Sequence, residues 1–175
     1  MPRILVDADS MPVRQRAIIL RRAVKENIET VFVADRRLGD VDAAIREHTA
    51  SLRAPLRDSL DREEIRRIRS TVSMVVVESG TNAADDRIVE LADEDALVIS
   101  HDIPLLAKVI EKGAQAMDDR GGRYTKDDIR VRLGERDING ALREMRVFDE
   151  KTRPFSQKQL EEFANCLDRI LTSHT

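Results

Sequence analysis

A chain of 175 residues can bury one well-packed core, and its 41% hydrophobic and 36% charged residues exclude a disordered or membrane-embedded protein. Its net charge of −3 excludes a global positive field that would draw it to nucleic acid, although local arginine clusters could still do so. One cysteine, Cys166, excludes an internal disulfide; with an N-terminus that lacks an apolar signal segment, it leads us to expect a core-packing thiol in a cytoplasmic protein.

The first predicted strand, Ile4-Leu5-Val6, runs into two acids, Asp7 and Asp9. An amphipathic helix follows over Val13 to Lys25, with Ala17, Leu20 and Val24 along one side. Either Asp9 or Ser10 could cap it, since Pro12 suits a helix's first turn. The second strand, Thr30 to Val33, runs into Asp35. The connection over 36–73 reads as two charged helices, Asp40 to Arg53 and Asp61 to Ser70, broken near Pro55. Its Arg62, Arg66, Arg67 and Arg69 read first as a solvated face; a lid, a dimer contact or an RNA ledge are the open alternatives.

The third strand, Met74 to Val77, ends at Glu78. In "GTNAADDRIVELADED" Thr81 or Asn82 can open a helix whose apolar stripe is Ala84, Ile88, Leu91 and Ala92. Asp85 falls at the edge of that stripe, either as a ligand or in a capping box, whereas Asp86 points away. Strand four, Leu97 to Ile99, leads to Asp102, which can cap the helix containing Pro104. A weaker strand, Ala114 to Met117, leads to Asp118. Gly121-Gly122, between Arg120 and Arg123, reads as a flexible basic turn able to hold a phosphate, without the spacing of a P-loop. From Phe155 to Leu171 a last amphipathic helix reads as packing.

Near-continuous apolar strands alternating with helices predict an α/β protein: a three-layer α/β/α fold around a mostly parallel sheet of about five strands. In such a sheet all C-terminal strand ends lie on one edge, so the acids at Asp7, Asp9, Asp35, Glu78, Asp102 and Asp118 could share a cleft. Crowded carboxylates ask for a cation, and all-oxygen donors suit Mg²⁺ or Mn²⁺.

The stretches "VDADSMPVR", "GTNAADDRIVELA", "LVISHDIPLLAKVIEKGA", "DDRGGRYTKDDIRVRL", "ERD" and "PFSQKQLEEFANCLDRIL" resemble, in this order, motifs of the bacterial YaiI/YqxD family, a branch of the PIN-like nuclease superfamily. The resemblance covers nearly the whole chain. It implies a PIN-like fold with a central parallel sheet; together with the readings above, the expectation is a single PIN-like domain over 1–175, with a helical insertion at about 36–73 and a packing helix at about 155–171. It also implies an acidic cleft holding one or two Mg²⁺ or Mn²⁺ ions, with Asp7, Asp9, Asp85, Asp86 and Asp102 standing where the acidic motif residues stand.

The sequence departs from the family pattern in three places. Ser10 and Met11 replace the usual alanine and cysteine, which argues against thiol chemistry; His101 stands where a small residue is usual; and the 36–73 connection is longer than the family's norm. The expected function is metal-dependent phosphodiester hydrolysis, with RNA expected as partner ahead of DNA. Asp7, Asp85 and Asp102 are expected to be ligands, and Asp7, Asp9 and Asp86 catalytic. Ser10, Arg14, Lys108 and Arg120 are expected at the substrate. Two alternatives stay open: a non-catalytic metal, nucleic-acid or protein-binding module, and a haloacid-dehalogenase-type phosphatase built on Asp7 and Asp9. The oligomeric state is left undetermined.

Overall fold

The computed structural model describes residues 2–144 and 155–173, with the side chains of all of these except 136–144. The chain forms β1 (Arg3–Asp7), α1 (Val13–Lys25), β2 (Thr30–Ala34), α2 (Gly39–Arg53) and, after a short 3-10 turn at Ala54–Leu56, α3 (Arg62–Arg67). It continues as β3 (Val72–Val76), α4 (Ala83–Leu91), β4 (Ala96–Ile99), α5 (Ile103–Glu111), β5 (Gln115–Met117), β6 (Arg123–Tyr124), α6 (Lys126–Glu144) and α7 (Gln157–Thr172). The sheet order is β3-β2-β1-β4-β5-β6, parallel throughout except for β6, which pairs antiparallel with β5.

The apolar strands are continuous because both faces of the sheet are covered. Successive residues of β1 alternate between the two cores: Ile4 and Val6 join Phe32, Ile99, Ile19 of α1, Val41 of α2 and Phe163 of α7. Leu5 joins Val33, Val98, Ile88 of α4, Leu105 of α5 and Ile129 of α6 on the opposite face. This is the expected three-layer α/β/α sandwich. Cys166 is buried on the α7 face, as a packing thiol. No helix among the described residues is long and apolar enough to cross a membrane.

Several local expectations need correction. Among the described residues the sheet has six strands, and β6 escapes notice because two residues, Arg123 and Tyr124, carry no periodic pattern. Helix α1 buries Gln15, Ile19, Leu20 and Ala23, whereas Ala17 is exposed. Neither Asp9 nor Ser10 caps α1; Pro12 occupies the cap position with no side-chain hydrogen bond. The two helices between β2 and β3 do break at Pro55, but the second is short, ending at Arg67. A capping box fixes its start, with Asp61 accepting from the Glu64 N–H at 2.8 Å and Glu64 accepting from the Asp61 N–H at 3.0 Å.

Candidate active site

From β1 the chain winds outward through β2 to β3, then returns to place β4 on the other side of β1. Such a reversal opens a crevice at the C-terminal strand ends, where ligands of open α/β sheets bind. Asp7, the last residue of β1, stands at that crevice and is only 4% exposed. Its Oδ2 accepts a hydrogen bond from Ser100 Oγ at 2.7 Å, across the switch from β1 to the end of β4. Ser100 Oγ in turn accepts from the Asp102 N–H at 2.9 Å. Ser10 Oγ donates to the Asp7 carbonyl at 3.1 Å and accepts from the His101 N–H at 3.2 Å. Two serines thus tie the two strand ends together. The neighbouring Met11 is buried in the α1-side core, so this departure from the family motif is a packing residue.

The carboxylates on this side crowd one another. Burial, then the nearby charges of Asp102 and Asp7, and a side-chain hydrogen bond with Asp102 push the Asp85 carboxyl up to about 6. That bond needs a proton between the two acids. The capping reading of Asp85 fails: Asn82, with φ of 65°, opens α4 without any side-chain hydrogen bond. The capping reading of Asp102 holds, because its Oδ1 accepts from the Leu105 N–H at 3.2 Å. Asp9 reaches sideways, its Oδ2 accepting from the Asp35 N–H at 2.8 Å. Partial burial raises its pKa, and that hydrogen bond opposes the rise.

The opposite wall belongs to the β5–β6 turn and α6. Asp118 is buried; its Oδ1 accepts from the backbone N–H groups of Arg120 at 2.9 Å and Gly122 at 2.7 Å, and its Oδ2 from the Tyr124 hydroxyl at 2.5 Å. The glycine turn is therefore clamped, not flexible. A Cβ on Gly122 would lie 2.8 Å from Asp118 Oδ2. Burial and the Asp118 carboxylate push the Tyr124 hydroxyl up to about 12, and the Arg132 guanidinium, bonded to the same hydroxyl, opposes them. Next to this turn, His101 Nδ1 pairs with Asp119 Oδ1 at 2.9 Å, a bond that raises the imidazole pKa. Gln15 Nε2 holds the Asp119 carbonyl at 3.1 Å.

The two walls enclose an open cleft of about 860 Å³. Asp7, Asp9, Ser10, Asp85, Asp102 and Arg120 line it, together with Asp35, Glu78 and Asp118. Three expected site residues do not. Asp86 is exposed, turned outward by its place on α4, and Arg14 is exposed on α1. Lys108 is exposed beyond the rim, although its charge is close enough to pull the Asp85 pKa down. Arg136 and Asp137 of "ERD" and the proline opening "PFSQ" lie outside the residues whose side chains are described. Ser100, Asp119, Tyr124 and Arg132 went unnoticed in the sequence. Ser100 directly follows an apolar strand that leads to a singled-out acid, a signal that could have found it.

Among the described residues no three His, Cys, Asp or Glu side chains form a ready-made metal cage. Mg²⁺ needs less than a cage: it keeps several waters and is held through one or two carboxylates. The all-oxygen donor set, with two acids close enough to share a proton, fits such a hydrated ion better than Zn²⁺.

A family model described as "Uncharacterized BCR, YaiI/YqxD family" matches residues 60–173. The chain is 37% identical over 169 residues to a UPF0178 protein of Desulfotalea psychrophila, covering 97% of each. It is 36% identical over 169 residues to a UPF0178 protein of Vibrio campbellii, again covering 97% of each. With a UPF0178 protein of Pseudomonas entomophila it shares 32% identity over 170 residues, covering 97% of this chain and 96% of the relative. No solved structure matches the chain. The matched model spans well over half of the sequence, and the chain belongs to the YaiI/YqxD family.

Proposed function

We propose that this protein is a PIN-like, divalent-metal-dependent nuclease of the cytoplasm that hydrolyses phosphodiester bonds, with RNA its preferred substrate. The observation that carries the reading is the convergence of Asp7, Asp85 and Asp102 at the switch point, tight enough to hold Asp85 protonated up to about pH 6. Those three residues would hold one or two Mg²⁺ or Mn²⁺ ions. A bound ion of this kind lowers the pKa of an attacking water and offsets charge on the in-line transition state. Ser100 fixes the Asp7 carboxylate, so one ligand is oriented before any ion arrives. Asp9 faces the same cleft and can accept the proton of the attacking water. Arg120 and Ser10 supply donors to the substrate's phosphate oxygens. Asp86, Arg14 and Lys108 have no part in the cleft as built.

One observation favours a second reading, a non-catalytic binding module: Asp102 already caps α5, a structural task independent of chemistry. Mn²⁺ binding, followed by calorimetry on wild type, Asp7→Asn and Asp102→Asn, together with cleavage of single- and double-stranded RNA, separates the readings. Weaker metal binding in both variants and metal-dependent cutting by wild type alone support the nuclease. Unchanged binding in both variants sinks the shared metal site. Binding without cutting leaves the module, and a trapped aspartyl phosphate on Asp7 would point to the phosphatase.

A further inference from the structure

The two walls of the cleft differ in how their charges are paired. On the switch-point side, Asp7, Asp9 and Asp102 each accept a hydrogen bond, but carboxylates face carboxylates with no lysine or arginine among the described lining residues of that side. On the β5–β6 side every lining acid has a donor of its own: Asp118 has Tyr124 and the turn amides, Asp119 has His101, and Glu135 has Arg132. That wall also carries Arg120 and Arg132, the arginines among the described lining residues. Arg132 is bonded to the Tyr124 hydroxyl and, through NH1, to Glu135 Oε2 at 3.0 Å. The Arg120 backbone N–H rests on Asp118 Oδ1, and its guanidinium lies 5.9 Å over the Phe155 ring. One buried carboxylate, Asp118, therefore holds the backbone of the turn that carries Arg120 and the hydroxyl of Tyr124, which interacts with Arg132.

We propose that Arg120 and Arg132 form a subsite for the backbone phosphates of a single-stranded polynucleotide, flanking the phosphodiester held at the acidic wall, with Tyr124 as the positioning residue. This rests on the nuclease reading of the cleft. A guanidinium has five N–H donors in a fixed fork, so the bonds to Tyr124 and Glu135 leave donors for a phosphate while restricting the side chain. No Phe, Tyr or Trp ring is among the described lining residues, and the imidazole of His101 is held by Asp119, so bases find little stacking platform and the contact reads the backbone, not the sequence.

The test is fluorescence anisotropy of 5′-fluorescein-labelled decauridylate with the full chain in EDTA, over a series of NaCl concentrations. Each phosphate contact on a single strand contributes about 0.7 to the slope of log affinity against log salt. Arg120→Ala and Arg132→Ala are expected to flatten the slope by about 0.7 each, and the double variant by about 1.4. Arg132→Lys restores the slope, and Tyr124→Phe weakens binding several-fold with the slope kept. Arg57→Ala, exposed beyond α2, leaves the wild-type slope. Both arginines are exposed, so their variants keep the fold. Wild-type slopes in both arginine variants, an equal loss in Arg57→Ala, or no binding by wild type would each overturn the subsite. Because EDTA removes divalent ions, altered slopes without any RNA cutting keep the subsite and sink the nuclease. Cutting with unaltered slopes does the reverse.

Discussion

Replacing Asp85 by Asn removes a carboxyl group that the fold keeps neutral up to about pH 6, against an ordinary value of 3.8. Below 3.8 the group is protonated in folded and unfolded chains alike and contributes nothing. Between the two values the folded protein retains a proton that the unfolded chain has lost, so wild-type stability falls as pH rises. Above about 6 the loss is complete and constant. The interval corresponds to about 3 kcal/mol, which solvent screening at this half-buried position reduces to about 1–2 kcal/mol. In EDTA at pH 8, Asp85→Asn should therefore melt about 3–6 °C above wild type. The gap should close as pH falls toward 4. Saturating Mg²⁺ should narrow it from the other side, because only the intact acid set gains from binding the ion. Scanning fluorimetry from pH 4 to pH 8, with and without Mg²⁺, reads all of this. A gap that stays constant with pH, or a variant less stable than wild type at pH 8, would refute the crowding of Asp85 by Asp102 and Asp7.

Three further outcomes are expected. Ser100→Ala deprives the buried Asp7 carboxylate of its hydroxyl donor and the Asp102 N–H of its acceptor; chemical denaturation should show a loss of about 2–3 kcal/mol, and a loss under about 0.5 kcal/mol would contradict the bridge. Gly121→Ala places a Cβ 2.7 Å from the Glu162 carbonyl oxygen of α7, at a residue with φ of +85°, so denaturation should show a loss of about 2–4 kcal/mol. His48, buried between Ser70 Oγ at 2.8 Å and Asn27 Oδ1 at 3.1 Å, has its pKa lowered by burial. The unfolded chain takes up the proton first, so wild-type stability should drop as pH falls below 6.5, and His48→Gln should lack that component in a pH series of denaturation curves.

The sheet was readable from the sequence because burial on both faces writes itself as unbroken apolar runs, as at Thr30–Ala34. The acidic edge was readable for the same reason: each run ends in a carboxylate, and parallel strands gather those ends. Side-chain partners were not. Asp7 and Ser100 lie 93 residues apart, and nothing in either segment encodes the 2.7 Å contact between them. Asp102 illustrates the limit from the other side, since one residue both caps α5 and faces the acids. The helical wheel placed Asp85 and Asp86 correctly relative to the core but misjudged α1, where buried Gln15 displaced Ala17 from the inner face. Tyr124 and Arg132 were invisible because their importance comes from a turn clamped by Asp118, which a glycine pair alone does not announce.

Helix α7 comes last in the chain, yet its Phe163, Leu167, Ile170 and Leu171 complete the same hydrophobic cluster as Ile4 and Val6 of the first strand. During synthesis α1 and α2 cover part of that face, and the rest stays bare until Gln157–Thr172 has left the ribosome. A nascent chain stalled before Gln157 would carry an uncovered apolar wall over Leu97, Ile99 and Met117, a surface that chaperones or degradation machinery can recognise.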